Sequence, residues 1–175
     1  MHRLPAGVLL RSAQIHQDER GVFAELYRQA WDTGIEPVQW NFVASGAGVL
    51  RGVHVHIRHD DYLILLQGRA CIGLRDLRRC SLTEGLTALV EIDGAGLTAF
   101  TIPHGVAHGF YFYEPSAHIY AVSDYWDTSD ELACHWADPA LEIPWPAKQA
   151  LLSERDAGAP PLSDLMAQLE PYQPI

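Results

Sequence analysis

Short apolar runs separated by turn residues occupy the chain between residues 62 and 122. The runs are Tyr62–Leu66, Cys71–Leu74, Ala88–Ile92, Leu97–Ile102, Gly109–Tyr113 and Ala117–Val122. Their even spacing and their β-branched and aromatic residues predict strands of an antiparallel sandwich or barrel. Tyr62–Leu66 is apolar at every position, as in a strand buried on both faces. Because no helical pattern alternates with the runs, a doubly wound α/β sheet is not expected.

The C-terminal part of the chain has a different pattern. Seven of the eleven prolines lie at or beyond Pro139, so we expect this stretch to wrap around the barrel as irregular chain. One short helix is predicted over Ser163–Glu170, with an apolar stripe that includes Leu165 and Leu169. The Ser163 hydroxyl is its expected N-terminal cap. The stripe is expected to pack on the barrel.

Length and charge narrow the classes of function. The 175 residues suit one domain over 1–175. With 22 acidic and 12 basic side chains the net charge is −10, which disfavours nucleic acid and anionic membranes as partners. Met1–Leu10 lacks the apolar stretch of a signal peptide. Since Cys71, Cys80 and Cys134 have no Cys-x-x-Cys spacing, we expect reduced thiols and a cytoplasmic location.

Histidines indicate where chemistry could take place. His54 and His56 are two residues apart in a predicted strand, so their side chains point to one face, and Val53 and Val55 point to the other. A lone strand histidine is more often an ordinary surface residue. A pair on one face, followed by His108 in the motif-like stretch after the Leu97–Ile102 run, favours a functional face.

Two spacings resemble the motifs of the cupin superfamily, with aspartate in place of the first motif's glutamate. They are Gly48-x5-His54-x-His56-x4-Asp61-x6-Gly68 and Pro103-x-Gly105-x2-His108. A narrower resemblance, to the dTDP-4-dehydrorhamnose 3,5-epimerase family, covers nearly the whole chain. Its segments are 18–25, 39–41, 48–54, 102–110, 120–126, 138–139, 143–146 and 152–156. The resemblance implies an all-β fold, a cupin-type jelly-roll barrel with a short C-terminal helix.

The resemblance also implies a reaction. The family epimerises a nucleotide-linked 4-keto-6-deoxy sugar at C3 and C5 without a cofactor, in deoxysugar supply for polysaccharides or glycosylated metabolites. By position, His54 matches the family base, Asp156 matches the carboxylate that holds that base, and Tyr120 matches the acid on the opposite face. A base and an acid across the sugar ring are what inversion at carbon requires. A homodimer is expected as well.

Substrate-binding residues follow from the same resemblance. They are Arg20, Phe23, Glu25, Gln39, Asn41, Arg51, His108, Trp126 and Arg155. The three arginines suit a pyrophosphate because a guanidinium pairs bidentately with phosphate oxygens. Phe23 and Glu25 are expected near a dimer interface. Arg51 and His54 have opposite strand parity, so both reach one site only if Gly52 bends or bulges the strand.

Two positions depart from the family pattern. Asp61 stands where the family has a lysine that stabilises the enolate oxygen, and His56 replaces a glutamine. One interpretation keeps a metal-free epimerase in which Arg58, His59 or His56 supplies the missing charge. Another places one divalent transition metal on His54, His56, Asp61 and His108, as in a metal-dependent cupin isomerase or oxygenase. A changed isomerisation and a non-catalytic sugar-nucleotide binder are the remaining alternatives.

Overall fold

Two five-stranded antiparallel sheets form the fold in the computed structural model, which describes residues 3–172. The first sheet consists, in spatial order, of β1 (Leu9–Ser12), β9 (Thr98–Ile102), β6 (Asp61–Gln67), β11 (Ser116–Val122) and β4 (Gln39–Ser45). The second consists of β12 (Glu131–Ala133), β5 (Leu50–His56), β10 (Val106–Phe112), β7 (Arg69–Asp76) and β8 (Thr87–Asp93). A separate hairpin pairs β2 (Ile15–Asp18) with β3 (Gly21–Ala24). The predicted all-β, cupin-type jelly-roll fold is confirmed.

The main core lies between the facing sheets. Leu63 and Phe100 from the first sheet meet Ile72, Leu74 and Phe112 from the second, and all five are at most 3% exposed. Burial of such side chains removes their apolar surface from water and supplies the main driving force for folding. The sheets therefore enclose an interior space whose remaining part can hold a site.

The continuous apolar run predicted to be buried on both faces forms most of β6. Leu63 and Leu65 enter the core between the sheets, and Tyr62 and Ile64 pack on the outer side with Ile35. The other predicted runs also form strands, with shifted ends. Leu97 lies outside β9 because its backbone is left-handed, with φ 42°, and β10 begins three residues earlier than the predicted run.

Two short helices follow the barrel within the described residues, α1 (Glu154–Ala157) and α2 (Leu162–Leu169). Single 3₁₀ turns lie at Gly94–Gly96, between β8 and β9, and at Pro139–Leu141 and Glu170–Tyr172. Leu165 and Leu169 of α2 are buried against the second sheet, as predicted. The expected cap was wrong. Pro161 occupies the cap position without a side-chain hydrogen bond, and Ser163 lies inside the helix.

A bulge in β5 positions the site. His108 of β10 pairs with His54, but Phe110 pairs with Arg51, so β5 holds one extra residue. Gly52 lies in this stretch with φ +123°, and an added Cβ would meet the backbone of Gly109 at 2.7 Å. The predicted irregularity at Gly52 is confirmed. As a result, Arg51 and His54 both line the interior space.

None of the helices between residues 3 and 172 combines the length and the apolar character that crossing a membrane would require.

Candidate active site

A cavity of about 380 Å³ lies between the two sheets, within the usual size range of small-molecule sites. Strands β4, β6 and β11 form one wall, strands β5, β10 and β12 form the other, and α1 adds further lining residues. The lining side chains are Val43, Arg51, His54, His56, His59, Asp61, Leu63, His108, Phe110, His118, Tyr120, Trp126, Glu131, Ser153, Arg155 and Asp156.

His54 is held by a carboxylate from the far end of the chain. Its Nε2 lies 2.8 Å from Asp156 Oδ1, and both side chains are largely buried. Arg155 Nη2 lies 2.9 Å from the same nitrogen. A carboxylate accepts hydrogen bonds and does not donate them, so we assign the Nε2–H donor to Asp156. The Arg155 guanidinium only donates, so it then lies beside the imidazole without a hydrogen bond to Nε2. Nδ1 then carries the lone pair and is the nitrogen that can take up a proton.

Asp156 is fixed by the start of α1. Its backbone N–H donates to the Ser153 hydroxyl at 3.1 Å, and its Oδ2 accepts from the Gly52 N–H at 3.4 Å. Burial alone would raise the pKa of Asp156, but the hydrogen bonds from His54 and Gly52 and the charge of Arg155 lower it below its usual value. The carboxylate is therefore ionised at neutral pH and holds the imidazole in one tautomer.

Glu131 approaches the other side of the imidazole, and the sequence reasoning missed it. Arg155 binds its carboxylate through both terminal nitrogens, at 2.6 and 3.0 Å. Trp126 Nε1 donates to it at 3.1 Å, and His54 Nδ1 lies 3.5 Å from Oε1. Burial would raise the pKa of Glu131, but Arg155 and the nearby histidines lower it. This carboxylate connects the histidine to residues at the cavity edge.

Tyr120 lies on the opposite wall. It belongs to β11, where it pairs with Asn41 of β4 and Leu63 of β6. Burial and the negative charges of Asp61 and Glu131 raise the pKa of Tyr120 above its usual value. The phenol therefore keeps its proton at neutral pH. The structure brings the three predicted catalytic residues, His54, Tyr120 and Asp156, to one cavity and places the imidazole and the phenol on different sheets.

A second group of histidines surrounds Asp61, at the start of β6. His56 Nε2 and His108 Nε2 each lie 3.2 Å from Asp61 Oδ2, and His59 Nε2 lies 3.8 Å from Oδ1. His59 Nδ1 is bound in turn to Asp130, at 2.7 Å. All four side chains of the group are buried. His54 is held by Asp156 instead, so His59 stands where the alternative metal set had His54.

The charges in this group are strongly coupled. Burial alone would raise the pKa of Asp61, yet His56 and His108 hold it well below its usual range. Burial acts to lower the pKa of His56, but Asp61 and two further acidic groups raise it overall. For His59, burial and the neighbouring His56 lower the pKa. Asp61 is thus a carboxylate anion inside the cavity, with histidines as its partners.

Two arginines and a tryptophan lie at the exposed part of the cavity lining. Arg51 Nε donates to Ser45 Oγ at 2.9 Å, and Arg155 is half exposed. The indole of Trp126 is 42% exposed. Guanidinium groups in this position suit phosphate oxygens, and an exposed indole suits stacking on a planar base.

Three other predicted binding residues lie outside the cavity lining. Arg20 and Phe23 belong to the β2–β3 hairpin, where Arg20 pairs with Asp18 at 2.6 Å and Phe23 is 63% exposed. Glu25 follows β3 and pairs with Arg28. Within this chain the hairpin and the cavity are separate features. None of the three lines the cavity of its own chain.

Gln39 and Asn41 adjoin the cavity without lining it. Gln39 Nε2 donates to Asn41 Oδ1 at 2.8 Å, and Gln39 Oε1 accepts from the backbone N–H of Trp126 at 3.2 Å. The buried Nδ2 of Asn41 has no hydrogen-bond partner. The pair thus supports the segment that carries Trp126.

One missed lining residue had a readable signal. His118 is two residues from Tyr120 on β11, so the alternation that places Tyr120 in the cavity also places His118 there. Its ring stacks on Phe112 at 5.6 Å and lies 5.8 Å from Phe110. Burial and the charge of Arg51 lower the pKa of His118 to about 4. It is a neutral imidazole in an aromatic setting.

A jelly-roll barrel with an imidazole–carboxylate pair and a phenol on facing walls defines a cupin-type protein equipped for acid–base chemistry. The family model described as dTDP-4-dehydrorhamnose 3,5-epimerase matches residues 4–164. The chain belongs to this family of isomerases.

Individual relatives agree with the family match. The chain is 35% identical over 161 residues to a dTDP-4-dehydrorhamnose 3,5-epimerase of Pseudomonas aeruginosa, covering 85% of this chain and 87% of the relative. Among solved structures, a Legionella pneumophila 3,5-epimerase in complex with dTDP-4-keto-L-rhamnose has 32% identity and a TM-score of 0.84, covering 93% and 92% of the chains. ChmJ, a 3'-monoepimerase of Streptomyces bikiniensis in complex with dTDP-quinovose, has 29% identity and a TM-score of 0.85, covering 99% and 92%.

Proposed function

We propose that this protein epimerises a nucleotide-linked 4-keto-6-deoxy sugar, such as dTDP-4-keto-6-deoxyglucose, at C3 and at C5. The C4 ketone acidifies the protons on both neighbouring carbons. His54 Nδ1 takes the C3 proton, the electron pair of the C–H bond moves into an enolate, and the negative charge develops on the C4 oxygen. Tyr120 then gives its phenolic proton to C3 from the opposite face. His54 then gives its proton to solvent and the Tyr120 phenolate takes one up, and the same exchange at C5 completes the second inversion.

One observation carries this proposal: the His54–Asp156 pair and Tyr120 line a single cavity from different sheets. Inversion at carbon needs a base on one face and an acid on the other, and a sugar ring bound between the two sheets would meet that condition. The Asp156 carboxylate also stabilises the imidazolium that forms when His54 takes a proton. The ketone itself provides the electron sink, so the reaction needs no redox cofactor.

Residues in and beside the cavity are proposed to bind the different parts of the nucleotide sugar. Arg51 and Arg155 are proposed to hold the pyrophosphate, and Trp126 is proposed to stack on the nucleobase. Gln39 and Asn41 are proposed to support the segment that carries Trp126, beside which they are hydrogen-bonded. His108 is proposed to act on the sugar side through Asp61, which it contacts.

The hairpin residues are assigned to a homodimer. Exposed apolar side chains on the hairpin, including Phe23 at 63% and Val22 at 60%, support burial against another surface. In the proposed dimer, Arg20, Phe23 and Glu25 of one subunit complete the nucleotide site of the other. Analytical ultracentrifugation of the wild-type protein and of Phe23→Ser tests this. A wild-type monomer at micromolar concentration contradicts it.

The cysteine thiols and the nature of the product indicate where in the cell the protein acts. The free thiols of Cys71, Cys80 and Cys134 suit the reducing cytoplasm. We propose that residues 1–175 act there as one epimerase domain. Its product is a rearranged 4-keto sugar, which requires a ketone reduction before a deoxysugar can be transferred to a polysaccharide or a metabolite.

Proton exchange with solvent tests the proposed function. The protein is incubated with dTDP-4-keto-6-deoxyglucose in D2O, and the sugar is analysed by NMR. Deuterium at both C3 and C5, with inverted configuration, is the expected result. Label at C3 alone replaces the proposal with one-centre epimerisation. Measurable binding without any label replaces it with a non-catalytic binder.

A further inference from the structure

Four buried side chains converge deep in the cavity and leave hydrogen-bonding capacity unused. His56, His59 and Asp61 each offer one ligand atom, and these atoms lie within 4.8 Å of one another. His108 Nε2 reaches the same Asp61 oxygen that faces His56, at 3.2 Å. Each of the four side chains is at most 8% exposed. Nevertheless, the buried His59 Nε2 has no hydrogen-bond partner.

The outer hydrogen bonds of two of the histidines fix which nitrogen faces inward. His59 Nδ1–H donates to Asp130 at 2.7 Å, and His108 Nδ1–H donates to the Val106 carbonyl oxygen at 3.1 Å. In the neutral tautomers the inward Nε2 atoms carry lone pairs, and both are aimed at the Asp61 carboxylate. The lone pairs of His59 Nε2 and His108 Nε2 thus face the Asp61 carboxylate, which is also an acceptor. This arrangement is unfavourable unless a positive charge lies among the three groups.

Protonation of both His56 and His59 is a poor source of that charge. The rings of His56 and His59 stack with centroids 4.0 Å apart, so two imidazolium ions there would repel each other in a buried site. A shared cation instead satisfies both lone pairs and both Asp61 oxygens at once.

We propose that His56, His59, Asp61 and His108 bind one divalent first-row transition-metal ion. Imidazole nitrogens with one carboxylate are donors that suit Zn²⁺, Fe²⁺, Co²⁺ or Ni²⁺. The contacts of His59 with Asp130 and of His108 with Val106 are the outer hydrogen bonds that orient metal-binding histidines. The set differs from the alternative built on His54, which Asp156 holds, and it departs from the cofactor-free expectation. This inference rests on the proposed function. Asp61 stands where the family pattern has a lysine, and the ion supplies the positive charge that the lysine would have supplied.

Metal binding is tested without substrate. The purified wild-type protein is treated with a chelator, dialysed, and titrated with Co²⁺, with the visible ligand-field absorption and the bound metal measured per chain. One bound cobalt per chain with an absorption band of a histidine-ligated site is the expected result. Asp61→Asn, His59→Gln and His56→Gln are expected to lose this band, and Asp130→Asn is expected to bind about 10- to 100-fold more weakly.

His16→Ala removes an exposed histidine from the hairpin and is the matched control, with wild-type binding expected. Circular dichroism of each metal-free variant verifies folding. The proposal is overturned if the wild-type protein binds no cobalt, or if folded Asp61→Asn and His59→Gln bind it as tightly as the wild type. Failure of the proposed function is a separate result, because it appears as missing deuterium exchange in the metal-loaded wild-type protein.

Discussion

His54 and His56 stand two residues apart on one strand and line one cavity, but their partners differ. His54 meets Asp156, from a helix 102 residues later in the chain. His56 meets Asp61, five residues away, and stacks on His59. A periodic pattern predicts which face a side chain takes, whereas the carboxylate that the fold brings to it decides its chemistry. We infer a proton-transfer role for His54 and a charge-holding role for His56.

Replacing His54, the proposed base, is expected to distinguish the roles of His54 and His56 most clearly. His54→Asn removes the nitrogen that takes the proton, so we expect deuterium exchange at C3 to fall by about 10³-fold. Cobalt binding is expected to stay at one ion per chain, because His54 is outside the proposed ligand set. Exchange is followed by NMR and cobalt by its absorption band. Exchange at the wild-type rate would show that His54 is not the base, and loss of cobalt would show that His54 belongs to the ligand set.

Replacing the acid tests the opposite wall. Tyr120→Phe removes one hydroxyl, and we expect inversion at C3 to slow by about 10²-fold. The first proton removal depends on His54 and is expected to slow less, so solvent exchange with retained configuration becomes the main outcome. NMR of the sugar in D2O measures both rates in one sample. An inversion rate equal to that of the wild type would remove Tyr120 from the mechanism.

Part of this site was predictable because strand alternation is local. The apolar runs predicted β6 and β11, and alternation predicted the shared face of His54 and His56. The opposite parity of Arg51 and His54 predicted the irregularity that the structure has at Gly52. Asp156 was inferred only from the family resemblance, since no local pattern connects positions 102 residues apart.

Other parts were not predictable for physical reasons. Strand β12 has three residues and α1 has four, too few for a periodic pattern, so Glu131 had no signal in the sequence. The cap assigned to Ser163 failed because Pro161, with φ −67°, already has the backbone angle of a helix entry. His59 follows the end of β5, and only the tertiary fold turns its ring toward Asp61.

His118 lies in a third environment, buried among aromatic rings, and this makes the free energy of unfolding depend on pH. Its pKa is about 4 in the folded protein and 6.5 when unperturbed. Between these values the unfolded chain takes up a proton that the folded chain does not, so the free energy of unfolding decreases as pH falls from 6.5 toward 4. His118→Phe removes this loss. Relative to the wild type, the variant is expected to gain about 2 kcal/mol between pH 8 and pH 5.

Urea unfolding at both pH values measures this gain. Phe100→Leu is the matched control: it changes packing in the same core without removing a titrating group or a ring stacked on His118, so its effect on the free energy of unfolding should be the same at both pH values. A pH-independent difference between His118→Phe and the wild type would mean that His118 titrates alike in the folded and unfolded chains.

Glu131 belongs to the His54 side of the comparison, since its carboxylate lies close to His54 and also binds Arg155. Glu131→Gln keeps the size but removes the charge that holds the guanidinium. We expect kcat/KM to fall about tenfold, mainly through KM, because Arg155 is proposed to bind the pyrophosphate. The matched control is Glu142→Gln, which breaks an ion pair with Arg75 outside the cavity lining. A loss confined to kcat would instead assign Glu131 to the imidazole.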